Sequence, residues 1–106
     1  MSRFMRLMVF FDLPVATKAQ RRAATQFRKF LLKDGYNMMQ FSVYNRPCNG
    51  WDSVETHVAR VRAAVPKEGA VRMMAVTEKQ FNSIEILTGT MTKYDTPISE
   101  TILTEL

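Results

Sequence analysis

Asp12 is the one acidic side chain placed where it could do chemistry. It closes an apolar, aromatic-rich run that starts at Phe4, and it stands directly before Leu13-Pro14. A lone carboxylate makes a poor magnesium site, because the ion demands octahedral oxygen coordination. Two copies of Asp12 facing one another across a dimer axis would make a better one. The alternative role for Asp12 is bracing a strand-to-helix turn, a frequent place for aspartate. His57 is the only histidine, and no nucleophile is recognisably paired with it, so it reads as a packing or surface residue. Cys48 is the only cysteine, which excludes an internal disulfide and a cysteine-rich zinc site and leaves a free thiol near a loop. The chain has no Walker loop, no glycine-rich dinucleotide turn and no HExxH pair.

The stronger signal is electrostatic. Residues 17–35 hold Lys18, Arg21, Arg22, Arg28, Lys29 and Lys33 against Asp34 alone, an excess equal to the whole net charge of +5. The other nine Lys/Arg and nine Asp/Glu cancel. The segment reads as one helix, opened by the capping box Thr17-x-x-Gln20 and ended by Gly35. At the helical angle of about 100° per residue, Ala19, Ala23, Ala24, Phe27, Phe30 and Leu31 fall on one side. Lys18, Arg22, Lys29 and Lys33 form a stripe on the other, with Arg21 and Arg28 beside it. A basic stripe on a neutral body suits a polyanion, nucleic acid foremost. Phosphate contacts from it would position DNA or RNA without reading the sequence. The plainer readings are a solvated helix face or a partner protein with an acidic surface.

These residues need a scaffold of modest size. A length of 106 residues and an apolar share of 46% fit one globular domain. The longest unbroken apolar run, Leu7 to Phe11, is too short for a bilayer span or a secretion signal, which with the lone cysteine suggests a cytoplasmic protein away from membranes. Strand and helix alternate. A strand from Phe4 to Asp12 precedes the basic helix, and Tyr36 to Arg46 reads as strand, bent near Gln40 to Ser42 into two short pieces. Pro47 to Gly50 reads as a loop. Asp52 can cap a second helix, with Glu55 at its third position and Val54, Val58, Val61 and Val65 on one face. After a turn at Pro66 to Gly69 come a strand, Val71 to Val76, a turn or short helix, Thr77 to Ser83, and one more short strand, Ile84 to Leu87.

Both faces of the first strand are apolar: Phe4, Met8 and Phe10 point one way, and Met5, Leu7, Val9 and Phe11 the other. Val71 and Met73 oppose Met74 and Val76 in the same manner. Such a sheet needs two covers, and two helices plausibly supply one. The second could be the same sheet of another protomer, giving a two-fold dimer. Eight methionines suit an adaptable packed surface, or ordinary core filling. The fold class expected is α+β, a ferredoxin-like βαββαβ sandwich.

The chain also resembles a known family. Phe10-Phe11-Asp12-Leu13-Pro14 is similar to the opening signature of CRISPR-associated protein 2. So are Phe27-Arg28-Lys29-Phe30-Leu31-Leu32-Lys33-Asp34-Gly35 and Gln40-Phe41-Ser42-Val43-Tyr44. Thr77-Glu78-Lys79-Gln80-Phe81 resembles the variety found in type II systems. The motifs keep order and spacing over about residues 4 to 87. The resemblance implies a ferredoxin-like domain over residues 1–87, a two-fold dimer, and a place in spacer acquisition between two dimers of the CRISPR-associated protein 1 integrase. There it would bridge and measure double-stranded DNA. It also implies magnesium-dependent endonuclease activity on RNA or DNA, with Asp12 as metal ligand and catalytic residue. Residues 88–106 lie outside the resemblance. Within them Ile98 to Leu106 alternates threonine or acid with Ile and Leu, and reads as an extra C-terminal strand that docks on a partner or as a loose tail. Two functions of different class follow: a non-catalytic DNA-binding scaffold of an integrase, or a metal-dependent nuclease. The long basic stripe favours the first, since one acid per chain is sparse equipment for two-metal hydrolysis.

Overall fold

The structure, a computed structural model, describes residues 3–89. The element order is β1 (Phe4–Asp12), α1 (Lys18–Lys33), β2 (Asn37–Gln40), β3 (Val43–Asn49), α2 (Trp51–Ala64), β4 (Ala70–Thr77) and α3 (Glu78–Asn82). The strands form one antiparallel sheet in the order β2-β3-β1-β4, the ferredoxin-like βαββαβ arrangement with a short helix appended. Both long helices connect strands that leave a gap of one, and that gap is filled by an antiparallel neighbour. No helix among the described residues is long and apolar enough to cross a membrane.

The helices cover one face of the sheet. Met5, Leu7, Val9 and Phe11 of β1 are buried with Phe27 and Leu31 of α1, Tyr44 and Cys48 of β3, and Val54 and Val61 of α2. The Phe11 and Phe27 rings meet edge to face at 5.3 Å. Each large side chain buried here contributes roughly 1.5–3 kcal/mol. Val58 packs against this core, whereas Val65 has left the helix and is exposed.

Helix α1 is pinned at both ends. Thr17 and Gln20 make the expected capping box, and Gln20 also donates from Nε2 to Glu68 in the turn before β4. At the other end Gly35, at φ 94°, lets its own N–H reach Leu32 O and the Tyr36 N–H reach Leu31 O. That is a complete Schellman closure. A side chain at Gly35 would run into the Arg46 guanidinium, 2.8 Å from the position of its Cβ. Asp34 is buried there, paired with Arg60 of α2, while Arg46 Nη1 donates to its carbonyl.

The other face differs from the sequence expectation. Thr77 to Ser83 is indeed helical over Glu78–Asn82, opened by a second capping box between Thr77 and Gln80. This α3 folds back over β1 and β4, so a third helix of the same chain covers part of the face opposite α1 and α2. Arg6, a cation in the apolar run of β1, is what it covers. Arg6 is only 4% exposed. Its Nε and Nη2 donate to the two Glu78 carboxylate oxygens at 2.9 and 3.1 Å, and its Nη1 donates to Asn45 Oδ1 at 2.9 Å. The Phe81 ring lies 4.3 Å from the guanidinium carbon.

Three local expectations are corrected. Ile84 to Leu87 forms no strand; the chain leaves α3 through turn bonds from Ser83 and Ile84 back to Gln80 and Phe81. Residues 47–49 belong to β3, not to a loop. Proline fits because β2 pairs β3 only as far as Asn45, so Pro47 has one strand neighbour, Arg6 of β1. Helix α2 starts at Trp51 behind Gly50 and has no side-chain cap, so Asp52 lies in its first turn and complements the helix dipole instead. The extra strand over Ile98 to Leu106 lies outside the described residues.

The buried pair predicts an asymmetry. Arg6→Met alone should cost about 3–5 kcal/mol in urea unfolding, because Glu78 is left buried and unpaired; adding Glu78→Leu should recover most of the loss. Equal losses in the single and double variants would refute this. Tyr36 gives a second expectation. Its hydroxyl is buried without a hydrogen-bond partner among the described residues. Burial first, then the Asp34 carboxylate and Cys48, push its pKa well above the phenol range, against the opposing pull of Arg46 and Arg60. The unfolded chain therefore ionises first, and stability is lost as pH rises beyond about 10. Tyr36→Phe should keep its stability at neutral pH and remove up to about 1.4 kcal/mol per pH unit of that alkaline slope. Parallel pH profiles for the two proteins would show that Tyr36 is not the cause.

Candidate nucleic-acid interface

The basic stripe is set by the two anchored ends of α1. Ala24, Phe27 and Leu31 are buried against the sheet, so the opposite side of the helix faces water. Lys18, Arg22, Lys29 and Lys33 are all exposed and make no ion pair among the described residues. Arg21 is engaged locally: its Nη1 donates to the carbonyls of Val15 and Ala16 at 3.1 and 3.2 Å, bracing the loop that enters the helix. Arg28 is half-buried, with Nη2 3.5 Å from Thr25 Oγ1. Four of the six cations thus form a free row on a rigid rod, and two flank it.

Asp12 sits elsewhere. It is the last residue of β1, exposed, with Ala70 as its partner on β4. Strand alternation continues the Phe4, Arg6, Met8, Phe10 face into Asp12, the face turned away from α1. The structure therefore does not gather the stripe and the carboxylate into one site; they lie on opposite sides of the sheet. The end of β1 is tightly held. Gly69, at φ 98°, lets the backbone pass so close that a Cβ there would stand 2.7 Å from Asp12 O. On the other flank, Phe11 N donates to Ser42 O at 3.1 Å, tying the β2–β3 turn to the same strand end.

The described residues of one chain do not make a metal centre around Asp12. Among the described residues no three His, Cys, Asp or Glu side chains converge as metal ligands. His57 is engaged within α2, with Nδ1 2.7 Å from the Ser53 carbonyl oxygen, and Cys48 is buried in the core. Two exposed residues on the elements beside the end of β1 were not singled out as site residues in the sequence. Arg72 of β4 is exposed and lies opposite Phe10 in the sheet register. Phe41 occupies the turn beside Ser42 and is exposed. The only sequence signals were a cation interrupting a strand and an aromatic placed in a bend.

Comparison with known proteins gives a concordant result. Residues 5–84 match the family described as CRISPR associated protein Cas2. A CRISPR-associated endoribonuclease Cas2 of Acidovorax ebreus is 59% identical over 85 residues, 80% of this chain and 83% of the relative. One from Flavobacterium psychrophilum is 43% identical over 83 residues, 78% of this chain and 72% of the relative. One from Campylobacter jejuni is 40% identical over 102 residues, 96% of this chain and 71% of the relative.

Proposed function

Because this chain belongs to the Cas2 family of CRISPR-associated proteins, we propose that it acts in CRISPR defence as a dimeric, non-catalytic, double-stranded-DNA-binding scaffold of the spacer-acquisition complex. The observation that carries this reading is the row Lys18, Arg22, Lys29 and Lys33, exposed along a helix anchored at both ends. A fixed row of cations recovers phosphate contacts with little loss of conformational entropy, and it reads no bases. The integrase of the complex, CRISPR-associated protein 1, would be the protein partner, in the cytoplasm. Dimerisation through the sheet face opposite α1 and α2 is supported by the apolar surface left beside α3: Met74 is 51% exposed, and Phe4 is exposed at the far end of β1. The Thr77 to Phe81 motif, folded as the capped α3, supports a type II origin.

A second reading is favoured by the relatives' names, which specify endoribonuclease. In that reading Asp12 is the catalytic acid. Among the described residues one chain offers a bound magnesium ion a single carboxylate there, so the site would need Asp12 from both protomers. Its placement on the proposed dimer face is compatible with that pairing.

The two readings use opposite sides of the sheet and separate cleanly by mutation. Changing Lys18, Arg22, Lys29 and Lys33 together to glutamine should leave the fold intact. It should also weaken duplex binding strongly, lowering the slope of log affinity against log salt by about 3 to 4. Unchanged binding would assign the stripe to a solvated face, and duplex binding without salt dependence would argue against phosphate contacts. Light scattering at micromolar concentration should report a dimer; a monomer would remove the basis for pairing two Asp12 side chains. Asp12→Asn should abolish any magnesium-dependent cleavage of RNA or DNA while leaving spacer integration with the integrase intact. Loss of integration in the folded variant would instead make the acid a required part of the complex.

A further inference from the structure

Phe41 has almost no packing role in the chain, yet its backbone is firmly held. It is 81% exposed. The next residue, Ser42, at φ 64°, is the only non-glycine residue with positive φ among the described residues. Its carbonyl accepts from Phe11 N, and the β2–β3 register shifts between Met38 and Gln40 just before the turn. A non-glycine residue held in the left-handed region costs about 1 kcal/mol or more and persists where surrounding structure fixes it, often at a functional position. The result is a phenyl ring carried at the tip of a hairpin that is tied to the end of β1.

The sheet register shows what lies beside that tip. Val43, Phe10 and Arg72 form one rung across β3, β1 and β4. Two strand spacings separate the backbones of Val43 and Arg72, roughly 10 Å. Asp12 follows two residues after Phe10 on the same face, roughly 7 Å along the strand. In the single chain Arg72 is exposed and has no ion pair among the described residues; it lies on the edge strand of the face proposed for dimerisation. The turn that carries Phe41 and the strand that carries Arg72 therefore lie on either side of β1, whose end bears an exposed carboxylate.

The chemistry of that trio is specific. An exposed ring stacks on the face of any base, but only when the base is unpaired and free of its own neighbours. A guanidinium is the preferred side chain for a phosphate. Arg72, exposed and without an ion pair among the described residues, favours a polyanion here over an apolar protein surface. We propose that Phe41 is a stacking platform for an unpaired nucleobase, with Arg72 holding a nearby phosphate, so that a single strand crosses the end of β1 beside Asp12. This assignment rests on the chain being a nucleic-acid-binding protein, but not on whether it cleaves.

Binding is tested without divalent metal, so that no hydrolysis intervenes. Fluorescence anisotropy would use labelled single-stranded RNA and DNA of about ten nucleotides, within the usual site size, and duplex DNA as the control. Phe41→Ala should weaken single-strand binding about tenfold or more and leave duplex binding unchanged. Phe41→Trp should restore it. Arg72→Gln should weaken single-strand binding and lower the salt slope by about one. Equal losses for RNA and DNA would support stacking alone, and a larger loss for RNA would support stacking with an added contact to the 2′-hydroxyl. Undiminished single-strand affinity in Phe41→Ala would overturn the proposal. A change of oligomeric state in that variant by light scattering would also overturn it, by assigning the ring to contact between copies. If the unaltered chain bound neither single strand nor duplex, the proposed function would fall as well; if it bound and Phe41→Ala bound equally, this assignment alone would fall.

Discussion

A guanidinium withdrawn from water must be paired, and the placement of Arg6 in the central strand makes that the governing constraint on one half of the molecule. β1 is flanked by β3 and β4 and buried on the α1–α2 face by Met5, Leu7, Val9 and Phe11. On the other face Arg6 calls for a carboxylate and for cover. Glu78 supplies the first and Phe81 the second, three residues apart on α3. The short helix is thus fixed to the sheet by charge and ring contact as much as by apolar burial. Its position decides how much of that face stays open. Met74 and Phe4 remain exposed beside it, while Met8 and Phe81 do not.

The opposite half depends on how α1 is held. A helix of its length is marginal alone, and its stability comes from packing and from its ends. Gln20 serves the N-terminal capping box and reaches the turn before β4; the C-terminal closure is locked by Asp34, Arg46 and Arg60. The one acid of the basic segment is therefore withdrawn into the fold and paired with Arg60 of α2. The charge that remains on the outer side of α1 is all positive. The anchoring that stabilises the helix also sharpens the charge it presents.

These two halves give the molecule two separate surfaces. The cation row belongs to the helical side, and Asp12, Arg72 and Phe41 belong to the end and open face of the sheet. A duplex following the first need not touch the second. Binding and cleavage, if both occur in the family, would then make independent demands on this chain, and loss of one surface would spare the other.

Much of this was legible in the linear chain. The capping box at Thr17, the closure at Gly35, the alternation in β1 and the gathering of charge between residues 17 and 35 are local patterns, and local patterns survive without a partner. The ferredoxin-like βαββαβ fold class followed from them. The same Thr-x-x-Gln signal at Thr77 was present but stood beside too few apolar residues to decide between a turn and a short helix, because α3 is held by Arg6, distant in sequence. Pro47 looked like a loop residue because its tolerance depends on where β2 stops pairing. Likewise nothing near Asp12 in the chain announces Arg72; only the register of β4 on β1 brings it to that end of the sheet. The sequence by itself determined which segments are helix or strand and where the positive charge lies, since those depend on neighbours a few residues apart. The tertiary structure alone decided that the charge row and the carboxylate face opposite ways and that a buried arginine holds the last helix, because both are matters of which distant strands lie side by side.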